Sequence, residues 1–459
     1  MFKRAYLFLL AILLIGAFLR FYRLGEMAAF DFDQEYASNF AYSVIKEFPV
    51  QLIGQQLSVE GLFMGPLYFY YLVPFFALFN LHPFGGFVGS VILGLTTVVA
   101  YFIIGKKMFG TKAGIVLAGL KATLFHQVRN DWTMAPSYSS ELIVLITWYC
   151  FYRYWKGETK ILPLMGLSFG LFTSFHPILF PFYFVFIGLL IIKKRLPSFK
   201  IAILSLVAFA IPITPLLLFE YFHKFLEVKR LLSFFGTNTS PFKIDTLLQN
   251  LQITYFGLGE LLSFYTIPKE LFASVFFASL LMLIFKKSQF SKESFHKYAL
   301  IISFLAFLLY YTFFPSHIPE YYFLGLTTLF FLYFGAMLSL LVRNRWPFVA
   351  LLLVLGNITY SNVSLFVDRW QNPSLTTLAY KDFVVKEITY RETNNNEFYV
   401  SYIKNPGWDY GFNYLFKLYG QDIEGRIAKD RVYTIVTPKS LSPDSLDIMY
   451  GNVGLILPD

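Results

Sequence analysis

The sequence predicts a polytopic α-helical membrane protein, and three observations carry that prediction. Of its 459 residues, 56% are hydrophobic and only 14% charged, against about 25% charged in soluble domains. Apolar runs of near-spanning length recur along most of the chain. Basic residues gather between those runs, as Lys106-Lys107, Lys193-Lys194-Arg195 and Lys286-Lys287, which is the pattern of cytoplasmic loops. The net charge of +10 is therefore loop charge, and nucleic acid is not expected as a partner. Cys150 is the only cysteine, so an intrachain disulfide and a cysteine metal site are excluded.

A spanning helix needs about 20 mostly apolar residues. The candidates are 5–22, 87–105, 139–155, 201–222, 271–285, 298–314, 322–342 and 347–363, with shorter ones at 113–125, 162–175 and 178–192. Lys3-Arg4 before the first run resembles a signal peptide, but the run enters Arg20-Phe21-Tyr22-Arg23 without a cleavage site, so an uncleaved helix is expected. Lys121 lies near enough to the end of its run to snorkel. The segment 66–79 is short for a span. Leaving it uncrossed puts every basic cluster on one side, which favours about eleven spans (range 11–13). The N-terminus is then cytoplasmic and the C-terminus extracytoplasmic, in a multi-pass protein of the cell membrane, with 66–79 in the outer interface or dipping in and returning.

This topology divides the chain into a membrane domain, 1–365, and a C-terminal extracytoplasmic domain, 366–459. The first external loop, 23–86, is long and partly amphipathic. Later external stretches are 126–138 and 223–269. The tail is polar, with strand-like runs at 398–403 and 431–436, and reads as a small α/β domain. No internal repeat is visible, which weighs against transporter folds made of inverted halves.

Chemistry concentrates in the first loop. Asp31, Asp33 and Glu35 fall within five residues just outside a membrane helix. From Glu35 onward Tyr36, Phe40, Val44 and Phe48 fit one face of an amphipathic helix lying on the membrane. Asp31 and Asp33 would sit at its N-terminus, where the helix dipole keeps a carboxylate ionised. Such an anion can serve as general base toward a hydroxyl or hold a divalent cation, so Asp33 is a candidate metal position and a divalent cation a candidate cofactor. The plainer alternative is that Asp33 caps the helix, paired with Arg20 or Arg23. In the second loop Arg129 can hold a lipid phosphate beside Asp131 and Trp132, or simply anchor the interface. His176 is either a cap or part of a site, and Glu220 lies in an apolar run, where an ionisable group is a functional candidate.

These residues carry a family resemblance. Leu19-Arg20-Phe21-Tyr22-Arg23-Leu24-Gly25 followed by Phe32-Asp33-Gln34 resembles the opening of GT-C glycosyltransferases of the family-39 type, which includes protein O-mannosyltransferases and aminoarabinose-transferring relatives. Gly61 to Tyr71, with Gly65-Pro66-Leu67-Tyr68, is similar to the stretch that closes the first loop there. The run 101–110, then Arg129 and Trp132, His176-Pro177, Phe219-Glu220-Tyr221-Phe222-His223 and Glu320-Tyr321-Tyr322 resemble further landmarks. Where many relatives have Asp-Glu, this chain has Asp33-Gln34, with Glu35 one place later.

The resemblance implies a GT-C-like fold and inverting transfer of a sugar from a polyprenyl-phosphate donor to a hydroxyl on a lipid, protein or glycan acceptor at the external face. It implies Asp33 as general base, with Asp31, Glu35 and Asp131 as companions. Arg129, Arg20, Lys229 and Arg230 would hold the donor phosphate, and Tyr36, Tyr68, Trp132, His176, Glu220, Glu320 and Tyr321 would line the substrate pocket. The competing class is a lipid or sugar transporter or flippase, which would place ionisable residues near the centres of several spans. The charges here collect at external ends instead.

Overall fold

The computed structural model describes every residue except 1, 48–49, 238–243, 263–268, 286–293, 314–319, 342–344, 374–375, 393–397, 424–430 and 459. The first helix, α1 (Phe2–Phe21), leads into a short turn, α2 (Leu24–Met27), and then α3 (Phe32–Tyr42). An extended, hydrogen-bonded excursion follows before α4 (Leu67–Leu78). The bundle continues with α5 (Pro83–Phe109), α6 (Thr111–Thr123), α7 (Phe125–Asp131), α8 (Glu141–Trp155), α9 (Leu162–Phe175), α10 (Pro181–Lys193) and α11 (Phe199–Phe222). Two further helices, α12 (Leu226–Thr237) and α13 (Ile244–Leu262), precede α14 (Lys269–Phe285), α15 (Ser294–Thr312), α16 (Leu324–Leu341) and α17 (Arg345–Gln371).

Among the described residues five helices are long and apolar enough to cross a membrane: Arg4–Phe21, Pro83–Phe109, Phe199–Phe222, Ser294–Thr312 and Tyr321–Leu340. Shorter apolar helices are Leu67–Leu78, Thr159–Phe175 and Pro177–Lys193. α5 outruns the expected 87–105 because its N-terminus is capped. His82 Nδ1 accepts the Phe84 N–H at 3.2 Å, and Pro83 occupies the first helical position.

Close helix packing rests on small residues. Gly166 and Gly170, four apart on α9, face α11. A Cβ on the first would fall 2.3 Å from Ser205 O and on the second 2.4 Å from Phe209 O. The two backbones therefore touch, which is how helices associate where lipid supplies no hydrophobic drive. α11 is otherwise largely exposed along its apolar length, as a lipid-facing helix must be.

Two expectations are corrected here. The apolar face of α3 does not rest on lipid. The Phe40 ring lies 5.4 Å from Phe69 and 5.1 Å from Tyr70, and Tyr36 lies 5.1 Å from Phe69, so α4 forms its floor. Phe48 lies outside the described residues. Lys121 does not snorkel either. It is 1% exposed, and its Nζ meets Gln127 Oε1 at 2.8 Å, Asp131 Oδ1 at 3.1 Å and Glu141 Oε2 at 2.6 Å.

The tail forms the small α/β domain expected from its composition. α18 (Leu378–Arg391) and α19 (Phe412–Leu418) pack with a four-stranded sheet of β1 (Tyr399–Lys404), β2 (Val432–Thr437), β3 (Ile448–Tyr450) and β4 (Val453–Ile456), ordered β1-β2-β4-β3. β1 and β2 are parallel, and the other pairs are antiparallel. The domain sits on the first loop. Lys381, wholly buried, donates to Phe30 O at 2.7 Å, Tyr410 O at 2.6 Å and Asp31 Oδ1 at 3.3 Å. Glu35 Oε1 accepts the Tyr414 N–H at 3.1 Å. First loop and tail therefore lie on the same side of the bundle.

Candidate active site

The N-terminus of α3 sorts its acids by how they are partnered. Asp31 is the N-cap, and Gln34 Oε1 accepts the Asp31 N–H at 3.0 Å, one half of a capping box. Its carboxylate is also held by Thr376 Oγ1 at 3.0 Å and by Lys381. The capping role considered for Asp33 thus belongs to Asp31. Neither arginine considered for it pairs with Asp33: Arg20 pairs with Asp131 and Arg23 with Glu26.

Asp33 is different. Among the described residues its one hydrogen-bond partner is Gln55, whose Nε2 donates to Oδ1 at 2.6 Å. Burial pushes its pKa up, Gln55 pulls it down, and the neighbouring charge of Asp31 pushes it up again. The net direction is upward, so the expected helix-dipole effect is outweighed by desolvation. The Asp33 charge also acts on Tyr68 and Tyr321.

Gln55 is held by backbone geometry. The excursion folds back on itself, with Gly54 N–H donating to Met64 O at 2.6 Å, Met64 N–H to Gln55 O at 2.9 Å and Leu57 N–H to Leu62 O at 2.8 Å. Gly65 then donates to Thr173 O at 2.9 Å, and a Cβ there would fall 2.4 Å from Ser174 Oγ. The glycine-proline-aromatic run thus pins the loop to α9 and brings Tyr68 in beneath it, buried, with Ser139 Oγ donating to its hydroxyl at 3.2 Å.

Beyond this loop lies an apolar cavity of about 270 Å³ that includes Ser58, Phe63, His176, Glu220, Glu227 and Tyr322 in its wall. Burial pushes the His176 pKa down to about 4, so the ring is neutral, and its Nδ1 accepts the Ile178 N–H at 3.2 Å as a cap. Its ring lies 5.9 Å from Tyr321. Glu220 caps α12, accepting the N–H groups of Glu227 at 2.9 Å and Val228 at 3.2 Å. Burial and the Glu220 charge push Glu227 up to about 7. Lys229 and Arg230 are exposed on α12, and Arg230 lies over Gly61, its Cγ 3.3 Å from where a Cβ would stand.

Three expected site residues are structural. Arg20 is fully buried. Its Nε and Nη2 meet Asp131 Oδ2 at 2.8 and 2.7 Å, and its remaining N–H groups go to the carbonyls of Gly16, Ala122 and Lys121. No donor is left for a phosphate. Asp131 is committed to Arg20 and Lys121, and a Cβ on Gly94 would fall 2.2 Å from its Cγ. Trp132 is 2% exposed and donates Nε1–H to Arg20 O at 2.9 Å, so it packs the network instead of lining a pocket. Glu35 serves the tail domain. Arg129 is exposed, and its charge acts on Arg369. The side chain of Glu320 lies outside the described residues. Among those described, no three His, Cys, Asp or Glu converge as a metal-binding group.

The sequence reading missed Gln55, Glu227, Lys381 and Arg369. Only Glu227 carried a signal, an acid seven residues after Glu220 at the start of a helix.

Comparison with known proteins bears on this arrangement. Residues 64–219 match the family described as dolichyl-phosphate-mannose-protein mannosyltransferase. No curated protein matches the chain. Among solved structures, ArnT from Cupriavidus metallidurans bound to undecaprenyl phosphate superposes with a TM-score of 0.59 at 9% identity, over 98% of this chain and 97% of that one. Residues 64–219 thus carry the sequence pattern of that family, and the chain as a whole shares the fold of ArnT. The archaeal oligosaccharyltransferase AglB from Archaeoglobus fulgidus, in complex with an inhibitory peptide and a dolichol-phosphate, gives a TM-score of 0.52 at 13% identity, over 94% of this chain and 62% of that one. The shared fold extends through the C-terminal domain, since the ArnT superposition covers nearly the whole length of both chains.

Proposed function

We propose that this GT-C protein transfers a sugar from a polyprenyl-phosphate donor to a hydroxyl acceptor at the external membrane face, with inversion and with Asp33 as general base. The observation that carries the reading is the state of Asp33: a half-buried carboxylate of raised pKa, held by one neutral donor, with no cation among the described residues close enough to pair with it. A base with a raised pKa has more driving force to accept a proton near neutrality.

In the proposed reaction the acceptor oxygen attacks the anomeric carbon while Asp33 takes its proton. The bond from that carbon to the phosphate oxygen breaks on the opposite face, and the electron pair leaves with the lipid phosphate. Base catalysis contributes about 10²–10⁴-fold. Lys229 and Arg230, exposed and beside the loop that carries Gln55, are the cations we assign to the leaving phosphate. Asp31 and Glu35 then act by positioning α3, and Tyr68, Tyr321, His176 and Glu220 border the reacting groups.

The test is turnover of a labelled polyprenyl-phosphate sugar by the purified protein. Lipid movement across vesicles, without transfer to any acceptor extract, would replace this reading with the flippase. The proposed topology, about eleven spans with 66–79 uncrossed, is tested at the exposed Asn80. Asn80→Cys should react with a membrane-impermeant maleimide from outside the cell. Cys150, the only native cysteine, is buried and should stay silent. Labelling only after permeabilisation would reverse the orientation.

A further inference from the structure

A second opening lies at the seam between the first loop and the tail domain. The end of α17, the N-terminus of α3 and the 407–410 turn surround an open cleft of about 640 Å³. Its wall includes Asp31, Phe32, Arg369, Trp408 and Tyr410, and it shares no lining residue with the cavity walled by His176 and Glu227. The volume falls within the about 300–1,000 Å³ of small-molecule sites.

The walls are tied to one another, so the cleft is preformed. The Phe30 N–H donates to Thr376 O at 2.8 Å and the Leu378 N–H to Ala28 O at 3.1 Å, which fixes the chain after α17 against the start of α3. Across the turn, Lys404 and Asp409 pair at 2.5 Å and the Trp408 N–H donates to Asn405 O at 3.2 Å. Lys381 Nζ then holds Tyr410 O at 2.6 Å. A site built this way spends little of its binding energy on ordering its own walls.

The lining has an aromatic part and a polar part. Phe32 and Tyr410 are exposed, with ring centroids 5.1 Å apart and planes at 69°, and the half-buried Trp408 shares the wall. An edge-to-face contact occupies one edge and one face, which leaves the remaining ring surface open. The Asp31 carboxylate is fixed by Thr376 and Lys381, yet its side chain stays 39% exposed with lone pairs to spare. Among the described residues Arg369 makes no side-chain hydrogen bond or ion pair, and its buried Nε–H is an orphan donor.

The complement of this lining is a molecule with an apolar face and a rim of groups that both donate and accept. A pyranose ring has that form. Its C–H face packs on an aromatic ring, whose negative face meets the polarised hydrogens, and its hydroxyls can bond a carboxylate and a guanidinium together. An acyl chain would use the rings and leave Asp31 and Arg369 idle, and a simple anion would meet Asp31 as well as Arg369. We propose that this cleft binds a neutral saccharide, with its ring on the Phe32, Tyr410 and Trp408 wall and its hydroxyls bonded to Asp31 and Arg369. The site goes beyond the proposed transfer reaction and holds whether or not the chain transfers a sugar.

The test uses the full-length protein in a polyoxyethylene detergent, which carries no sugar headgroup. The protein is applied to an array of neutral oligosaccharides, acidic oligosaccharides and unglycosylated Ser/Thr peptides, and the affinity for any retained neutral oligosaccharide is measured by calorimetry. Wild type should retain at least one neutral oligosaccharide. Arg369→Gln removes a charged donor and should weaken that affinity about tenfold or more. It should fold normally, since Arg369 gives up no partner. Tyr410→Leu keeps apolar bulk but loses the ring face, and should weaken binding about three- to tenfold. Both variants should keep the wild-type thermal midpoint without ligand. Retention of acidic oligosaccharides or peptides alone overturns the proposal, as does retention of nothing. Equal affinity in wild type and both variants, or a loss that appears only with a lowered midpoint, overturns it as well.

Discussion

Asp131 closes α7 and Asp33 lies in the first turn of α3, and the protein treats these two acids in opposite ways. Asp131 is 7% exposed and sits between Arg20 and Lys121, and the network runs on through Lys121 to Glu141 and the Tyr101 hydroxyl. Every charge in it has a counter-charge within hydrogen-bond distance, which is what burial demands. Asp33 has one neutral partner and a pKa pushed up by burial. One carboxylate is consumed by the fold, while the other keeps a single neutral partner and a raised pKa. The number and charge of a carboxylate's partners, more than its place in a loop, separate a structural acid from a chemical one.

Asp131→Ala should produce the largest effect. It leaves Arg20 and Lys121 buried opposite a single carboxylate, and should cost about 3–5 kcal/mol in denaturant unfolding. A loss below about 1 kcal/mol, the range of exposed pairs, would show that the network is not what holds α1, α6 and α8 together.

Lys381→Met comes next. It strips hydrogen bonds from two carbonyls and from Asp31, and should destabilise the contact of tail and first loop by about 1–3 kcal/mol. Faster proteolytic removal of the tail is the readout; an unchanged cleavage rate would mean that the domain docks by apolar contact alone.

Asp33→Asn should do the reverse of Asp131→Ala. A carboxylate whose folded pKa is raised makes the folded state bind protons more tightly. Its favourable contribution is present at low pH and lost as pH rises through the folded value. At neutral pH the variant should therefore be at least as stable as wild type, and that pH slope should flatten. The smallest shift is expected for Gln55→Leu. It removes the one hydrogen bond that pulls the Asp33 pKa down, so the acid limb of the rate profile should move to higher pH. Movement to lower pH would mean that Asp33 is not the titrating group.

The membrane class, the helix within the first loop and the α/β tail could all be read from the sequence. The expected strands 398–403 and 431–436 differ from β1 and β2 by one residue at each end. These features depend on composition and local period. What the sequence hid depends on long-range pairing. Arg20 and Asp131 stand 111 residues apart, and nothing in either neighbourhood names the other. Lys121 in an apolar run looks the same whether its ammonium reaches water or a buried acid. The period of Tyr36 and Phe40 shows that a face must be covered, but not that α4 covers it instead of lipid. Asp31 and Asp33 are chemically alike, and only the observed start of α3 decides which one caps.

The central claim, that Asp33 is a reactive base and not a structural acid, is tested most directly by single-turnover transfer from a labelled polyprenyl-phosphate sugar, comparing wild type with Asp33→Asn across pH. The account predicts a wild-type rate that falls as pH drops through a carboxylate pKa above the usual range. It predicts a variant slower by about 10²-fold or more with no such limb, and with an undiminished unfolding midpoint. A variant that folds and turns over the donor at the wild-type rate, or one that loses rate only in step with lost stability, would contradict it.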